Sequence, residues 1–109
     1  MSRETRRFMR LIVFFDLPTT TPAFKRAYAL FRHFLIQDGY DMLQWSVYAR
    51  IIDGQDMADK HLTRLTAHLP EKGSVRCMQV SEKQYVGMKL MVGQATPREK
   101  IGREQFLLF

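Results

Sequence analysis

This sequence predicts an α+β sandwich, two amphipathic helices on one face of a largely antiparallel sheet, and three features carry that reading. A run of five bulky apolar residues, Leu11-Ile12-Val13-Phe14-Phe15, has the composition of a buried strand. Two segments with helical periodicity follow, the first entered at Pro22 and the second spanning Gln55 to Leu69. Strand-like stretches lie between and after them, so the order is strand, helix, strand region, helix, strands.

The first strand closes on Asp16, and the Leu17-Pro18 that follows stops its pairing. Thr19-Thr20-Thr21 then offers a helix cap and Pro22 suits the first helical position. Phe24, Tyr28, Phe31 and Leu35 form the apolar stripe of this helix, with Ala27, Leu30 and Phe34 widening it, and Gly39 ends it. Lys25 with Arg32, and Arg26 with His33, recur at seven-residue spacing as two basic rows on its flanks. Such rows are either a solvated face or a contact for a polyanion.

From Met42 to Ile52, Leu43, Trp45, Val47 and Ala49 alternate with Gln44, Ser46, Tyr48 and Arg50, which is one bent strand or a tight hairpin at Trp45-Ser46. The second helix has Ala58, Leu62, Leu65 and Leu69 as its stripe, an Asp56–Lys60 pair at i, i+4, and Pro70 and Gly73 beyond its end. Ser74 to Val80 reads as another strand with Cys77 in the core, Glu82 to Tyr85 as a turn or short helix, and Met88 to Val92 as a further short strand. This order is the ferredoxin-like βαββαβ pattern. Residues 1–94 form that domain behind a basic leader, and 95–109 form a polar link ending in the apolar Gln105-Phe106-Leu107-Leu108-Phe109. A terminal apolar pentapeptide is a liability unless it is paired, and a strand laid against a partner protomer is the reading we favour.

At 109 residues the chain is one domain. Its single cysteine excludes an intramolecular disulfide and a cysteine cluster for zinc, and points to a reducing compartment. Neither a signal peptide nor an apolar run of about 18 residues is present, so a soluble, cytoplasmic protein without a membrane association is expected. Lys and Arg number 17 against 11 Asp and Glu, a net charge of +6 that suits nucleic acid. The basic material is Arg3, Arg6, Arg7 and Arg10 ahead of the sheet, Lys25, Arg26 and Arg32 on the first helix, and Arg98, Lys100 and Arg103 in the link. Arginine grips phosphate with a planar fork, and a dimer would double the strip.

Asp16 is the acid to suspect, because it stands at the C-terminal end of an interior strand. Its other reading is a cap of the following turn. A nuclease needs a divalent ion at the phosphate, and magnesium takes one or two carboxylates with waters. One Asp16 is thin, but a twofold axis near the end of the first strand would bring two copies together around one ion. The remaining aspartates, Asp38, Asp41, Asp53, Asp56 and Asp59, read as turn and cap residues, and His33, His61 and His68 as solvated. Zinc motifs, a GxSxG elbow and a Gly-rich phosphate loop are absent.

The chain resembles the CRISPR-associated protein 2 family. The resemblance runs through Met9 to Pro18, Phe31-Arg32-His33-Phe34-Leu35, Gly39-Tyr40, Leu43-Gln44-Trp45-Ser46-Val47-Tyr48-Ala49-Arg50, Ser81-Glu82-Lys83-Gln84-Tyr85, and Met88 to Gly93. The first helix and the basic leader are most similar to members from type II systems. The resemblance implies a ferredoxin-like homodimer whose terminal strand, with Phe106, Leu107, Leu108 and Phe109, packs on the other protomer, placed between dimers of the CRISPR-associated protein 1 integrase. It implies that Asp16 is the family's catalytic and magnesium-binding aspartate at the dimer axis, and that Ser46 matches a frequent family position. Trp45 stands where the family often has Tyr.

Two readings compete: a DNA-binding adaptor holding a duplex spacer precursor for the integrase, with Arg6, Arg7, Lys25, Arg26 and Arg32 on the DNA, and a magnesium-dependent endoribonuclease or deoxyribonuclease, including a stand-alone ribonuclease of toxin type. They are compatible. A single-strand RNA-recognition module is the weakest reading, because its Lys/Arg-Gly-aromatic pattern is missing.

Overall fold

The computed structural model describes residues 8–93. They run β1 (Phe8–Asp16), α1 (Pro22–Gln37), β2 (Asp41–Gln44), β3 (Val47–Asp53), α2 (Gln55–Ala67), β4 (Ser74–Ser81) and α3 (Glu82–Val86). The sheet order is β2-β3-β1-β4 and each neighbouring pair is antiparallel. This is the ferredoxin-like arrangement, with the apolar run of β1 as an interior strand between β3 and β4.

Alternation along β1 divides the molecule. Leu11, Val13 and Phe15 face the helices and pack with Tyr28, Phe31 and Leu35 of α1, Ala58 and Leu65 of α2, and Tyr48 and Ile52 of β3. Ile12 faces the other side, in a smaller cluster with Ala49, Tyr85, Phe14, Leu43, Val47, Val80 and Val86. The short α3 closes that second face over its far half. It is held there by Arg10, whose Nε and Nη2 donate to the two Glu82 carboxylate oxygens at 2.8 and 3.1 Å and whose guanidinium lies 4.3 Å from the Tyr85 ring centroid. Burial alone favours the neutral form of Arg10, and the Glu82 carboxylate outweighs it, so the net pKa shift is upward. Arg10 is therefore a strut of the fold, not a member of the basic leader.

The first helix starts as its sequence predicts, and the short α3 has a cap of its own. The Thr21 hydroxyl accepts from the Phe24 backbone N–H at 3.1 Å ahead of Pro22, and Ser81 and Gln84 form a reciprocal capping box around the first turn of α3. The β2–β3 segment is a hairpin that turns at Trp45-Ser46. Gly39 takes φ +92°, and a Cβ there would stand 2.7 Å from the Arg50 guanidinium, which donates to the Asp38 carbonyl.

Several expectations are corrected. Leu30 is 70% exposed, since it lies about 200° around α1 from the buried Tyr28 and so faces away from the sheet. Leu69 falls beyond the end of α2 and is exposed. Met88 to Val92 forms no strand: the chain beyond α3 makes no ladder with the sheet in this stretch. Cys77 is exposed, as β4 is an outer strand flanked on one side only, and partial desolvation raises its thiol pKa, which works against a nucleophilic thiolate. Asp56 and Lys60 do not pair; Gln55 donates to Asp59 at 2.8 Å instead.

The largest correction concerns His61, which is 4% exposed. Its Nδ1 lies 2.7 Å from Asp38 Oδ2, and the second oxygen of that carboxylate accepts from Arg64 at 2.9 Å. Asp38 is thus the C-cap residue of α1 and the acceptor that ties α2 to it, at the end of the sheet away from Asp16. Elsewhere in the core, the Tyr40 hydroxyl is buried without a protein partner among the described residues, and burial raises its pKa. Removing an unpaired buried hydroxyl relieves a desolvation penalty, so Tyr40→Phe is expected to leave stability unchanged or raise it by up to about 1 kcal/mol. A loss above about 1 kcal/mol in urea unfolding would show that the hydroxyl is well bonded.

Candidate functional site

Asp16 ends β1 on the face opposite the helices, because it shares parity with Ile12 and Phe14. Its register partner is Ser74, and that of Phe14 is Arg76, so two polar side chains of β4 stand beside the end of β1 on the same face. From the other flank, the β2–β3 turn is tied to β1 by the Phe15 N–H donating to the Ser46 carbonyl at 3.0 Å. Behind the strand end, Gly73 packs so tightly that a Cβ would lie 2.6 Å from the Asp16 carbonyl oxygen, at φ +99°. Only glycine supplies both the left-handed backbone and the space.

The result is an open cleft of about 210 Å³ lined by Phe14, Phe15, Asp16, Trp45, Ser46, Val47, Ser74 and Arg76. The Asp16 side chain is exposed, and it makes no hydrogen bond or ion pair with a described residue. The turn-capping reading of Asp16 therefore fails, for a capping carboxylate would accept a nearby backbone N–H. A larger, mainly apolar groove of about 360 Å³ lies elsewhere, between the start of α1 and the loop after α2, and does not include Asp16.

Arg76 is the residue that sequence reasoning missed. Its signal was alternation with Ser74 in a strand, but its value depends on β4 lying beside β1, which no local pattern encodes. Lys25, Arg26 and Arg32 are exposed on α1 and do not line the cleft. His33 is exposed, while His68 stacks on Phe34 at 4.0 Å between centroids. Arg6, Arg7, Phe106, Leu107, Leu108 and Phe109 lie outside the described residues, as does the expected terminal strand. No helix among the described residues is long and apolar enough to cross a membrane.

The candidate metal donors in the cleft are oxygens: the Asp16 carboxylate and the hydroxyls of Ser46 and Ser74. That chemistry fits a hard cation such as magnesium, not zinc. Among the described residues no three His, Cys, Asp or Glu converge, so the described part of one copy holds too few ligands for a cage. The Asp38–His61 pair, the other carboxylate of interest, is buried with both carboxylate oxygens engaged and has no access to a substrate.

The family model described as "CRISPR associated protein Cas2" matches residues 9–88. Among curated proteins, the CRISPR-associated endoribonuclease Cas2 of Acidovorax ebreus is 54% identical over 102 residues, covering 93% of this chain and 100% of the relative. The proteins of the same name from Parvibaculum lavamentivorans and Campylobacter jejuni are each 38% identical, covering 93% and 90% of this chain and 100% and 68% of their own lengths.

Proposed function

The chain belongs to the CRISPR-associated protein Cas2 family, and from that premise we propose that it is a homodimeric subunit of CRISPR adaptation. In this reading it binds duplex DNA as a scaffold for the CRISPR-associated protein 1 integrase and carries a separable, magnesium-dependent endoribonuclease site at Asp16. The observation that carries the nuclease part is the exposed Asp16 carboxylate, without a partner among the described residues, at the end of an interior strand and in a cleft with Arg76 and two hydroxyls. Relatives that match nearly the whole chain are named endoribonucleases.

Asp16 of each of two copies would hold the magnesium, whose contribution is to polarise a phosphoryl oxygen and make a bound water more acidic. A dimer is supported by the sheet face that α3 leaves open, where Met78, opposite Ile12, is 48% exposed. Arg76 is placed to take a phosphate oxygen with its guanidinium, and the hydroxyls of Ser46 and Ser74 to orient it. The test is cleavage of RNA and duplex DNA with magnesium, and again with EDTA, for the wild type and Asp16→Asn. Cleavage by the wild type that persists in EDTA would sink the metal-dependent reading.

The scaffold part is supported by Lys25, Arg26 and Arg32, which are exposed on one helix while the chain carries +6. Arg26→Ala and Arg32→Ala are each expected to weaken duplex binding and to lower the slope of log K against log salt by about 0.9 for each phosphate no longer neutralised. Slopes equal to wild type in both variants would take these arginines off the DNA.

A further inference from the structure

The cleft at Asp16 also holds an aromatic surface that phosphodiester hydrolysis does not require. Trp45, the one tryptophan of the chain, is 72% exposed at the tip of the β2–β3 turn. Its indole is held in place all the same. It stacks on Tyr28 with centroids 5.5 Å apart and planes at 19°. Tyr28 is itself buried, lies 5.7 Å from Phe15, and places its hydroxyl 3.3 Å from Ser46 Oγ. Ser46 adopts φ +63°, a conformation that non-glycine residues rarely take, and its carbonyl is bonded to β1 one residue before Asp16. A strained residue at the turn, an aromatic ladder beneath and a backbone tie to β1 thus present one indole face to solvent beside the carboxylate.

What surrounds that face selects the ligand. A flat aromatic surface, the Arg76 guanidinium and the hydroxyls of Ser46 and Ser74 in one cleft are the complement of a nucleotide, base on the indole and phosphate on the arginine. A base inside a duplex has both faces covered by its neighbours, so it cannot reach the indole without leaving the stack. We infer that Trp45 is a base-stacking platform, and Arg76 its adjacent phosphate contact, in a subsite for single-stranded nucleic acid beside Asp16. As a substrate assignment this rests on the nuclease reading of Asp16, but the binding it describes needs neither metal nor cleavage.

The experiment uses the full chain carrying Asp16→Asn in EDTA, so that cleavage plays no part, and reads the emission of Trp45. Hexauridylate, hexathymidylate and a blunt twelve-base-pair duplex are the probes. Saturable quenching by the single strands, with little from the duplex, is expected; quenching by RNA alone assigns the subsite to RNA, and by both to either sugar. With a dye-labelled hexauridylate followed by anisotropy, Trp45→Leu is expected to weaken binding roughly five- to hundredfold and Trp45→Phe to restore most of it. Arg76→Gln is expected to lower the salt slope by about 0.7, the value for one single-strand phosphate. An unchanged affinity in Trp45→Leu, or equal quenching by the duplex, overturns the proposal. So does a blue-shifted emission that acrylamide cannot quench in the free protein, which would place Trp45 in a contact between copies. Loss of nuclease activity in the Asp16→Asn chain bears on the catalytic reading alone, and the two can fail separately.

Discussion

Asp16→Asn is expected to lower RNA cleavage in magnesium by at least about a hundredfold while leaving the folded dimer and spacer acquisition in place. The substitution keeps shape and volume but removes the anionic oxygen that a hard cation needs. Metal-assisted charge stabilisation is worth several kcal/mol at the transition state, and each 1.4 kcal/mol is about tenfold in rate. Stability should move by less than about 0.5 kcal/mol, because the Asp16 side chain is exposed and makes no hydrogen bond or ion pair with a described residue. A second consequence separates the dimer-axis site from any other. Two carboxylates brought together without a cation repel, so in EDTA the variant should dimerise more tightly than the wild type, and magnesium should reverse that order. Sedimentation of both proteins with and without the ion measures it. Equal dimer affinities in every condition would place the two Asp16 residues apart, and a variant that still cleaves RNA at the wild-type rate would remove Asp16 from the chemistry.

Asp38→Ala is expected to be among the most destabilising single changes, at about 2–4 kcal/mol. One carboxylate serves two partners at that point, on a residue whose backbone N–H caps α1. Asp38 is the C-cap residue of α1, its Oδ2 meets the buried His61 and its Oδ1 meets Arg64, so truncation strands an imidazole that is 4% exposed and parts the two helices. For a domain of this size the midpoint of thermal unfolding should fall by roughly 10–20 °C. Arg64→Ala should cost under about 1 kcal/mol, because the Arg64 side chain is half exposed and its ion pair is screened. Adding His61→Leu to Asp38→Ala should recover part of the stability, since the stranded polar group is then gone. If the single variant unfolds with the wild-type midpoint, the pair contributes nothing and the helices are held by their apolar contacts alone.

The contrast between those two aspartates shows which kind of information a sequence holds. Asp16 is conspicuous because the residues before it, Leu11 to Phe15, have the β-branched and aromatic composition of a buried strand, and the Pro18 after it ends the pairing. Asp38 looks like one more turn residue beside Gly39, and His61 like one more solvated histidine. Nothing within a helical turn of either reports the other, because they are 23 positions apart in the chain and meet only when α2 packs beside the end of α1. Cys77 misleads in the opposite direction: a cysteine within a strand suggests the core, but β4 is an outer strand, and only the sheet order says so.

Period and punctuation were enough to determine by sequence alone that β1 is buried, that α1 starts behind Thr21 and Pro22, that the chain turns between β2 and β3 if it turns at all, and that the order of elements is βαββαβ. These are local matters, settled by side-chain alternation, by capping and by the fixed φ of proline. Tertiary structure alone decided which residues surround Asp16. Arg76 and Ser74 share its cleft because β4 pairs with β1 in a register that puts equal parities on one face, and Trp45 and Ser46 share it because a hairpin folds back to bond Phe15. The physical reason is that a cleft is made by backbone pairing between segments distant in sequence, and hydrogen bonds between strands carry no mark of their partner in the residues that form them.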